Sequence, residues 1–267
     1  MLLAELHGHG IPEAEDNEDL LTSTVFGHLR YIPPQFFWSD FFSRAVDLSG
    51  SSGEQTLLEI LKRSGRRVAE YSSIRTIFWP QHPKLGCPDL ILAFTGPTQE
   101  PFLLVIECKL WAEKSGTGEF DQLGRYLSLA ADLAGISPAL VRDEFVDAFF
   151  AVLYLTPRES RNEVEETALL RSVSERALLF RAQWQDLIEC HSKAESDVET
   201  DSISRLILGD VAAFLRRRGL EYFRGFRCCA LDALPDECGR FYSGIGSFLR
   251  RKELKSFPVQ KARWVEA

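Results

Sequence analysis

The chain has 267 residues, of which 45% are hydrophobic and 26% charged, a composition that excludes a disordered or fibrous protein. This length is sufficient for one large domain or two small ones with a sizeable core. The formal net charge of −8 argues against a protein that coats nucleic acid or anionic membranes through bulk positive charge.

The charge is unevenly distributed along the chain. Residues 1–214 carry 19 basic and 33 acidic side chains, whereas residues 215–267 carry 12 basic and 6 acidic ones. No apolar run approaches the roughly 18 residues that a membrane helix requires, and the N-terminal residues lack the pattern of a secretory signal. The six cysteines lack the spacing of a disulfide framework or a zinc site. We therefore expect a cytoplasmic protein that does not associate with membranes.

Hydrophobic periodicity predicts helices followed by a group of strands in the first part of the chain. A helix is expected to begin at Asn17 or Glu18 and to end before Pro33, and a second helix covers Glu54–Lys62. Runs rich in β-branched and aromatic residues then predict three consecutive strands, Val68–Trp79, Gly86–Phe94 and Phe102–Leu110. The Gly-Pro break after the second strand predicts that the second and third strands form an antiparallel hairpin.

Helices and strands alternate in the second part of the chain. The predicted elements are a helix over Glu119–Leu133, a buried strand over Ala148–Leu155, a helix over Asn162–Val173, a strand over Ala177–Phe180, a helix from Gln183 and a helix over Ile203–Arg218. These elements predict an α/β fold. We divide the chain into a domain over 1–193, an acidic linker over 194–202, and a basic helical C-terminal region over 203–267 that packs on or beside the core.

The predicted hairpin carries three charged residues at one end of its apolar strands. Side chains alternate between the faces of a strand, so Glu107 and Lys109 point to the same side. Antiparallel pairing brings Asp89 close to Glu107. Two carboxylates that lie so close together repel each other unless a cation lies between them. Mg²⁺ prefers carboxylate and carbonyl oxygens, and the backbone carbonyl of Cys108 offers one more such oxygen.

Two short motifs together resemble a known family of enzymes. Pro88-Asp89 is followed by Glu107-Cys108-Lys109, and Gln122 and Tyr126 lie one turn apart in the next predicted helix. This pattern resembles the PD-(D/E)xK nuclease superfamily, including members with a QxxxY motif that are similar to RecB-like and phage-defence nucleases. The resemblance covers about residues 17–155. It implies a restriction-endonuclease-like mixed central sheet flanked by helices, with an αβββαβ core.

The resemblance implies a role for each matching residue. Asp89 and Glu107 would hold Mg²⁺ or Mn²⁺, which acts in the hydrolysis of a phosphodiester bond. Lys109 would orient or deprotonate the attacking water and stabilise charge on the phosphate. Gln122 would position the lysine or the backbone phosphate, with Tyr126 beside it.

The family often adds an acidic residue from its first helix to the metal site. We choose Glu18 for this position because it opens a helix that can lie against the sheet. Asp19 and Glu70 are the alternatives. A glutamate at this point also stabilises the helix through its dipole, and the choice remains open on the sequence.

Arginine residues indicate where a nucleic-acid backbone would bind, because phosphate contacts by Lys and Arg dominate such affinity. Arg66 and Arg67 directly precede the first strand, and Arg216, Arg217 and Arg218 end the last predicted helix. The last three arginines have a second interpretation, since positive charge at the C-terminal turn stabilises a helix by itself.

The expected function is metal-dependent hydrolysis of DNA by an endonuclease, with Mg²⁺ or Mn²⁺ as the cofactor. Similarity to stand-alone nucleases of bacterial anti-phage systems adds an expected role in defence, with a homo-oligomer or a defence-system protein as partner. One alternative is an RNase of the same fold. Another is a catalytically silent scaffold subunit of a multi-protein complex, in which the charged residues at the hairpin have ordinary structural roles.

Overall fold

The structure is a computed structural model that describes residues 17–47, 54–110, 114–116, 121–136, 145, 148–157, 160–169, 177–197 and 199–222. Within these residues the helices are α1 (Glu18–Leu29), α2 (Trp38–Phe42), α3 (Leu57–Arg63), α4 (Gln122–Leu127), α5 (Arg161–Leu169), α6 (Trp184–Ser196) and α7 (Ser202–Arg217). The strands are β1 (Val46–Asp47), β2 (Gln55–Thr56), β3 (Ser73–Phe78), β4 (Leu90–Thr95), β5 (Phe102–Cys108), β6 (Phe149–Thr156) and β7 (Ala177–Gln183).

All of these strands belong to one mixed sheet with the order β2-β1-β7-β6-β5-β4-β3. β3, β4 and β5 form an antiparallel meander, while β5, β6 and β7 are parallel. Parallel neighbours need a crossover, and α4 and α5 lie in the two crossovers. The described residues therefore form an α/β fold with a seven-stranded mixed sheet flanked by helices.

Each face of the sheet has its own hydrophobic layer. Alternate residues of β4 and β5, such as Leu92 and Leu104, pack with α1, α2, α3, α6 and α7 on one face. The intervening residues, such as Ile91 and Val105, pack with α4 and α5 on the other face. Every residue of β5 is buried, as expected for a central strand that is covered on both sides.

Aromatic side chains fill the larger layer around Phe94 on β4. The ring of Phe94 lies 5.5 Å from that of Trp38, 5.6 Å from Phe42, 5.7 Å from Tyr71 and 5.3 Å from Phe102, measured between centroids. Such pairs add to the free energy gained by burial alone. Phe94 therefore joins the sheet to α2 at the centre of the core.

Most of the predicted elements are confirmed, including the β4–β5 hairpin and the buried strand β6. The helix predicted over Glu119–Leu133 is α-helical only over Gln122–Leu127 and continues as 3₁₀ turns. α1 begins at Glu18, as predicted, because the side chain of Asn17 accepts a hydrogen bond from the N–H of Leu20 at 2.9 Å. The helix that was predicted to begin at Glu54 is α3, and it begins at Leu57. The reason is that β2 pairs with β1, after which Thr56 and Glu59 form a capping box.

The first two predicted strands are shorter than the sequence pattern indicated. Residues Val68–Glu70 form a 3₁₀ turn, so β3 begins only at Ser73. Gly86 pairs with His82 in the connecting loop, and β4 begins at Leu90. β1, β2 and α2 were not predicted.

The predicted domain boundaries fall within helical structure. α6 extends to Ser196, past the predicted boundary at 193, and α7 begins at Ser202. α7 belongs to the same compact unit as the sheet, and the described residues of this unit end at Tyr222. The predicted basic region beyond Tyr222 lies outside the described residues. None of the described helices is both long and apolar enough to cross a membrane.

The position of Phe94 allows a direct test of this core. Phe94→Ala is expected to lower the free energy of unfolding by about 3–5 kcal/mol, because it leaves a cavity among four aromatic rings. Tyr31→Ala, at a residue that is 63% exposed, serves as the control and should change it by less than about 0.5 kcal/mol. Urea denaturation measures both changes, and equal effects of the two substitutions would contradict the described packing.

Candidate active site

The predicted carboxylate pair lies at one end of the β4–β5 hairpin. The register pairs Leu90 with Ile106, and one further residue places Asp89 opposite Glu107. Asp89 is 8% exposed and Glu107 1%. The Oδ2 atom of Asp89 accepts a hydrogen bond from the N–H of Cys108 at 2.7 Å, which fixes the aspartate against β5.

Lys109 is held between two glutamates just beyond the end of β5. Its Nζ atom lies 2.6 Å from Oε1 of Glu107 and 3.1 Å from Oε1 of Glu18. Its backbone N–H donates to the carbonyl of Leu155, and its carbonyl accepts from the indole N–H of Trp184 at 2.9 Å. These contacts fix both ends of the lysine and confirm that it points to the same side as Glu107.

The structure distinguishes among the three residues considered for an additional acidic position. Glu18 joins the site, because its second oxygen accepts a hydrogen bond from the N–H of Leu110 at 2.8 Å while the first contacts Lys109. Asp19 is exposed, and it is close enough to Asp89 to contribute to its raised pKa. Glu70 is not brought to the site, because it lies in the turn before β3, beyond the opposite end of that strand.

Gln122 and Tyr126 link α4 to β5 and to the segment that leads into β4. The amide N–H of Gln122 donates to Oε1 of Glu107 at 2.7 Å and to the hydroxyl of Tyr126 at 3.1 Å. The hydroxyl of Tyr126 donates to the carbonyl of Cys87 at 2.9 Å. Their spacing of four residues places both side chains on one face of the helix, as the motif predicted. The pair therefore holds Glu107 in place.

Burial and like charge disfavour ionisation of both carboxyl groups. Burial, together with the repulsion of Asp89, raises the pKa of Glu107 to about 8 even though Lys109 opposes the shift. Burial raises the pKa of Asp89 to about 6, against the effect of its hydrogen bond to Cys108. Burial opposes the charge of Lys109 as well, but Glu107 and Glu18 raise the pKa of its ammonium group well above the ordinary value.

One oxygen of Glu107 remains without a hydrogen-bond donor. Its Oε2 atom is buried and has no partner among the described residues, a costly arrangement for a carboxylate. The described residues contain no cluster of three or more His, Cys, Asp or Glu side chains with the arrangement of a metal site. Mg²⁺ is commonly held by one or two carboxylates and keeps several waters, so Asp89, Glu107 and the carbonyl of Cys108 fit its requirements.

A second buried charge network, which the sequence did not reveal, holds the start of α4. The Nζ atom of Lys114 contacts Oδ2 of Asp121 at 2.5 Å, the carbonyl of Glu163 at 2.8 Å and Oγ1 of Thr167 at 3.1 Å. The other oxygen of Asp121 caps α4 by accepting from the N–H of Gly124. An aspartate directly before a helix is a recognisable cap signal, but the partners on α5 leave no local signal.

Two of the arginines predicted to bind nucleic acid lie away from the carboxylates. Arg66 is 7% exposed, forms an ion pair with Glu100 and stacks its guanidinium over the ring of Phe149 at 5.4 Å. Arg67 is exposed and pairs with Glu70 at 2.9 Å. Both are attached to the end of the hairpin opposite to the site. β5 extends over about 20 Å and separates these arginines from the carboxylates, so the arginines do not line the candidate site.

The remaining three predicted arginines end α7. Arg216 and Arg217 are exposed in its last turn. Arg218 is buried, with its guanidinium 4.8 Å from the centroid of the Phe214 ring. Its side chain is therefore not accessible to a phosphate of a nucleic-acid backbone.

The chain matches no known family model, no curated protein and no solved structure. The assignment of a function therefore depends on the residues and geometry of the site itself.

The raised carboxyl pKa values predict how stability depends on pH in the presence of a chelator. The folded protein holds the Glu107 proton more tightly than the unfolded chain does. This difference in proton affinity adds to the free energy of unfolding. The added free energy is fully present below about pH 4.5 and is lost as the pH rises towards about 8. Urea denaturation at a series of pH values should show this decline.

The control for this prediction is Glu107→Gln, which has the same shape and no titrating proton. Its decline should be smaller and should end near pH 6, where Asp89 is half ionised. Identical pH profiles for the variant and the original protein would contradict the described burial of Glu107.

Proposed function

We propose that the chain is a metal-dependent nuclease that hydrolyses phosphodiester bonds in DNA. The observation that carries this proposal is the buried pair of carboxylates, Asp89 and Glu107, with the ammonium group of Lys109 2.6 Å from Glu107. Two acids and a lysine at the end of a buried hairpin are costly for stability, and a ligand at this point would offset the cost.

The order of the elements around the hairpin supports the proposal. α1 precedes the antiparallel strands β3, β4 and β5, and α4 then leads to β6, which is parallel to β5. When the elements α2, β1, β2 and α3, which lie between α1 and β3, are left out, this order is the αβββαβ order that the resemblance implies. Fold alone does not define function, so the topology adds to the chemistry of the site and does not replace it.

The residues that would hold Mg²⁺ or Mn²⁺ are Asp89, Glu107 and the backbone carbonyl of Cys108. The buried, unpartnered Oε2 atom of Glu107 is the observation that fits this role. Such an ion, when bound, supplies a Lewis acid for the phosphate and lowers the pKa of water.

The protein's own residues position the reacting groups. Lys109 has three N–H donors, of which two are directed to Glu107 and Glu18. We assign the third to a phosphate oxygen or to the attacking water, where it would stabilise the developing negative charge. Gln122 and Tyr126 act as positioning residues, because their hydrogen bonds fix the orientation of Glu107.

The acidic charge of the chain limits how it would bind DNA. A net charge of −8 predicts weak, salt-sensitive binding or loading by a partner protein. A role in anti-phage defence, with a homo-oligomer or a defence-system protein as partner, completes the proposal and derives from the resemblance of the motifs.

Cleavage of plasmid DNA tests the proposed chemistry. We expect nicking that requires Mg²⁺ or Mn²⁺ and stops with a chelator. Lys109→Ala should lower the rate roughly 100- to 1,000-fold because it removes a donor to the phosphate, and Asp89→Asn should abolish cleavage. Gel electrophoresis of supercoiled plasmid over time measures these rates.

The matched control is Lys193→Ala, which removes a different lysine–aspartate pair, with Asp40 on α2, and should leave the rate unchanged. Parallel reactions with RNA distinguish the RNase alternative. If the folded protein cleaves neither polymer, alone or with its genomic neighbours, and binds no Mn²⁺ by calorimetry, the nuclease proposal is wrong and the scaffold alternative is favoured.

A further inference from the structure

Trp79 is an exposed aromatic residue in direct contact with the proposed site. It follows β3, and its backbone N–H donates to the carbonyl of Asp89 at 2.9 Å. Among the tryptophans in the described part of the chain, Trp38 and Trp184 are completely buried, whereas Trp79 is 39% exposed. The backbone of Trp79 is thus fixed next to Asp89, and its indole is accessible to a ligand from solvent.

The backbone of Trp79 adopts a conformation that bulky residues rarely take. Its φ angle is +47°, and it is the one non-glycine residue with positive φ among those described. A turn that needed only this conformation would be made more easily by glycine. Strained backbone of this kind clusters at active sites and ligand-binding segments, where the surrounding structure holds it in place.

The loop that follows Trp79 is closed by hydrogen bonds. The N–H of His82 donates to the carbonyl of Gly86 at 2.8 Å, and that of Gly86 donates back at 3.2 Å. The Nδ1 atom of His82 accepts from the N–H groups of Lys84 and Leu85. The loop thus presents the exposed Lys84 on a fixed backbone between Trp79 and Asp89.

We propose that Trp79 stacks on an unpaired base of a nucleic acid whose backbone passes the carboxylates, with Lys84 contacting a neighbouring phosphate. An indole stacks on any base, but in a duplex both faces of each internal base are covered by neighbours. The preferred substrate is therefore single-stranded, or a duplex with a locally unpaired segment. This inference rests on the proposed function, and it narrows the class of substrate.

The competing interpretation is that the ring has a packing role. Its centroid lies 5.4 Å from that of Phe78, with the ring planes tilted by 39°. If this contact were the purpose of Trp79, removal of the ring would destabilise the fold. A ring whose main role is to stack on a base can be removed with little loss of stability, since glycine accommodates the positive φ without strain.

Binding measured in a chelator tests the proposal without any cleavage. Fluorescence anisotropy is followed for labelled single-stranded DNA, single-stranded RNA, a duplex of the same sequence and an abasic oligonucleotide. Trp79→Gly should weaken single-strand binding roughly 5- to 150-fold, the range for loss of one stacked base. Trp79→Phe should retain most of the affinity. The DNA and RNA arms show which sugar is preferred.

The abasic oligonucleotide isolates the contribution of the base, because it has the same charge and nothing to stack. The original protein and Trp79→Gly should bind it equally. Equal loss of affinity for the duplex and the single strand, or unchanged affinity for the single strand, would overturn the proposal. Tyr31→Ala, which removes an exposed aromatic ring elsewhere, should have no effect.

Urea denaturation of Trp79→Gly completes the test. Unchanged or increased stability supports a ligand-binding role, and a loss of stability in Trp79→Gly that leaves single-strand affinity unchanged overturns it. Failure of this inference is distinguishable from failure of the nuclease proposal. Base-dependent binding without any cleavage would overturn only the nuclease, whereas cleavage with unchanged single-strand affinity in Trp79→Gly would overturn only the stacking role.

Discussion

The short contact between Glu107 and Lys109 is the constraint on which the rest of the site depends. A carboxylate at 1% exposure is unstable unless it is neutralised, and Lys109 and Gln122 both donate to the same oxygen of Glu107. The other oxygen has no donor among the described residues, and Asp89 lies opposite Glu107 in the strand register. A cation bound here would relieve the repulsion and would therefore stabilise the folded protein.

The topology of the sheet explains why the charges meet at this point. β5 is buried on both faces, so polar side chains can be tolerated only at its ends. The carboxyl end of β5 is also the carboxyl end of the parallel strands β6 and β7, where open α/β sheets commonly bind ligands. Glu18 reaches this end from the helical layer on one face, and Gln122 reaches it from the other. The site is thus framed by both layers.

The site carries more acidic than basic side chains, like the chain as a whole. Lys109 lies among carboxylates, and the exposed side chains of Trp79 and Lys84 belong to the loop between β3 and β4. A bound divalent ion would add the positive charge that the net charge of −8 does not provide. Recognition of the substrate would then depend on local contacts and less on a long-range field, which salt screens.

Local periodicity was enough to predict much of the site. Glu107 and Lys109 share a side because strand residues alternate, and Gln122 and Tyr126 share a helix face because their spacing is one turn. Hairpin geometry brings Asp89 to Glu107, and this pairing depends only on two neighbouring strands and their turn. These relations span few residues, so the sequence by itself determined them.

Contacts between distant parts of the chain were decided only by the tertiary structure. Glu18 and Lys109 are 91 residues apart, and the sequence offered Glu18 as one of three choices. Arg66 is buried beside Glu100, and the pairing of β2 with β1 moves the start of α3 from Glu54 to Leu57. Both features depend on contacts between segments that no local sequence pattern connects. Side chains of one type serve as surface charge or as a buried partner according to what packs beside them. That environment is set by packing of the whole core and is not encoded in a short stretch of sequence.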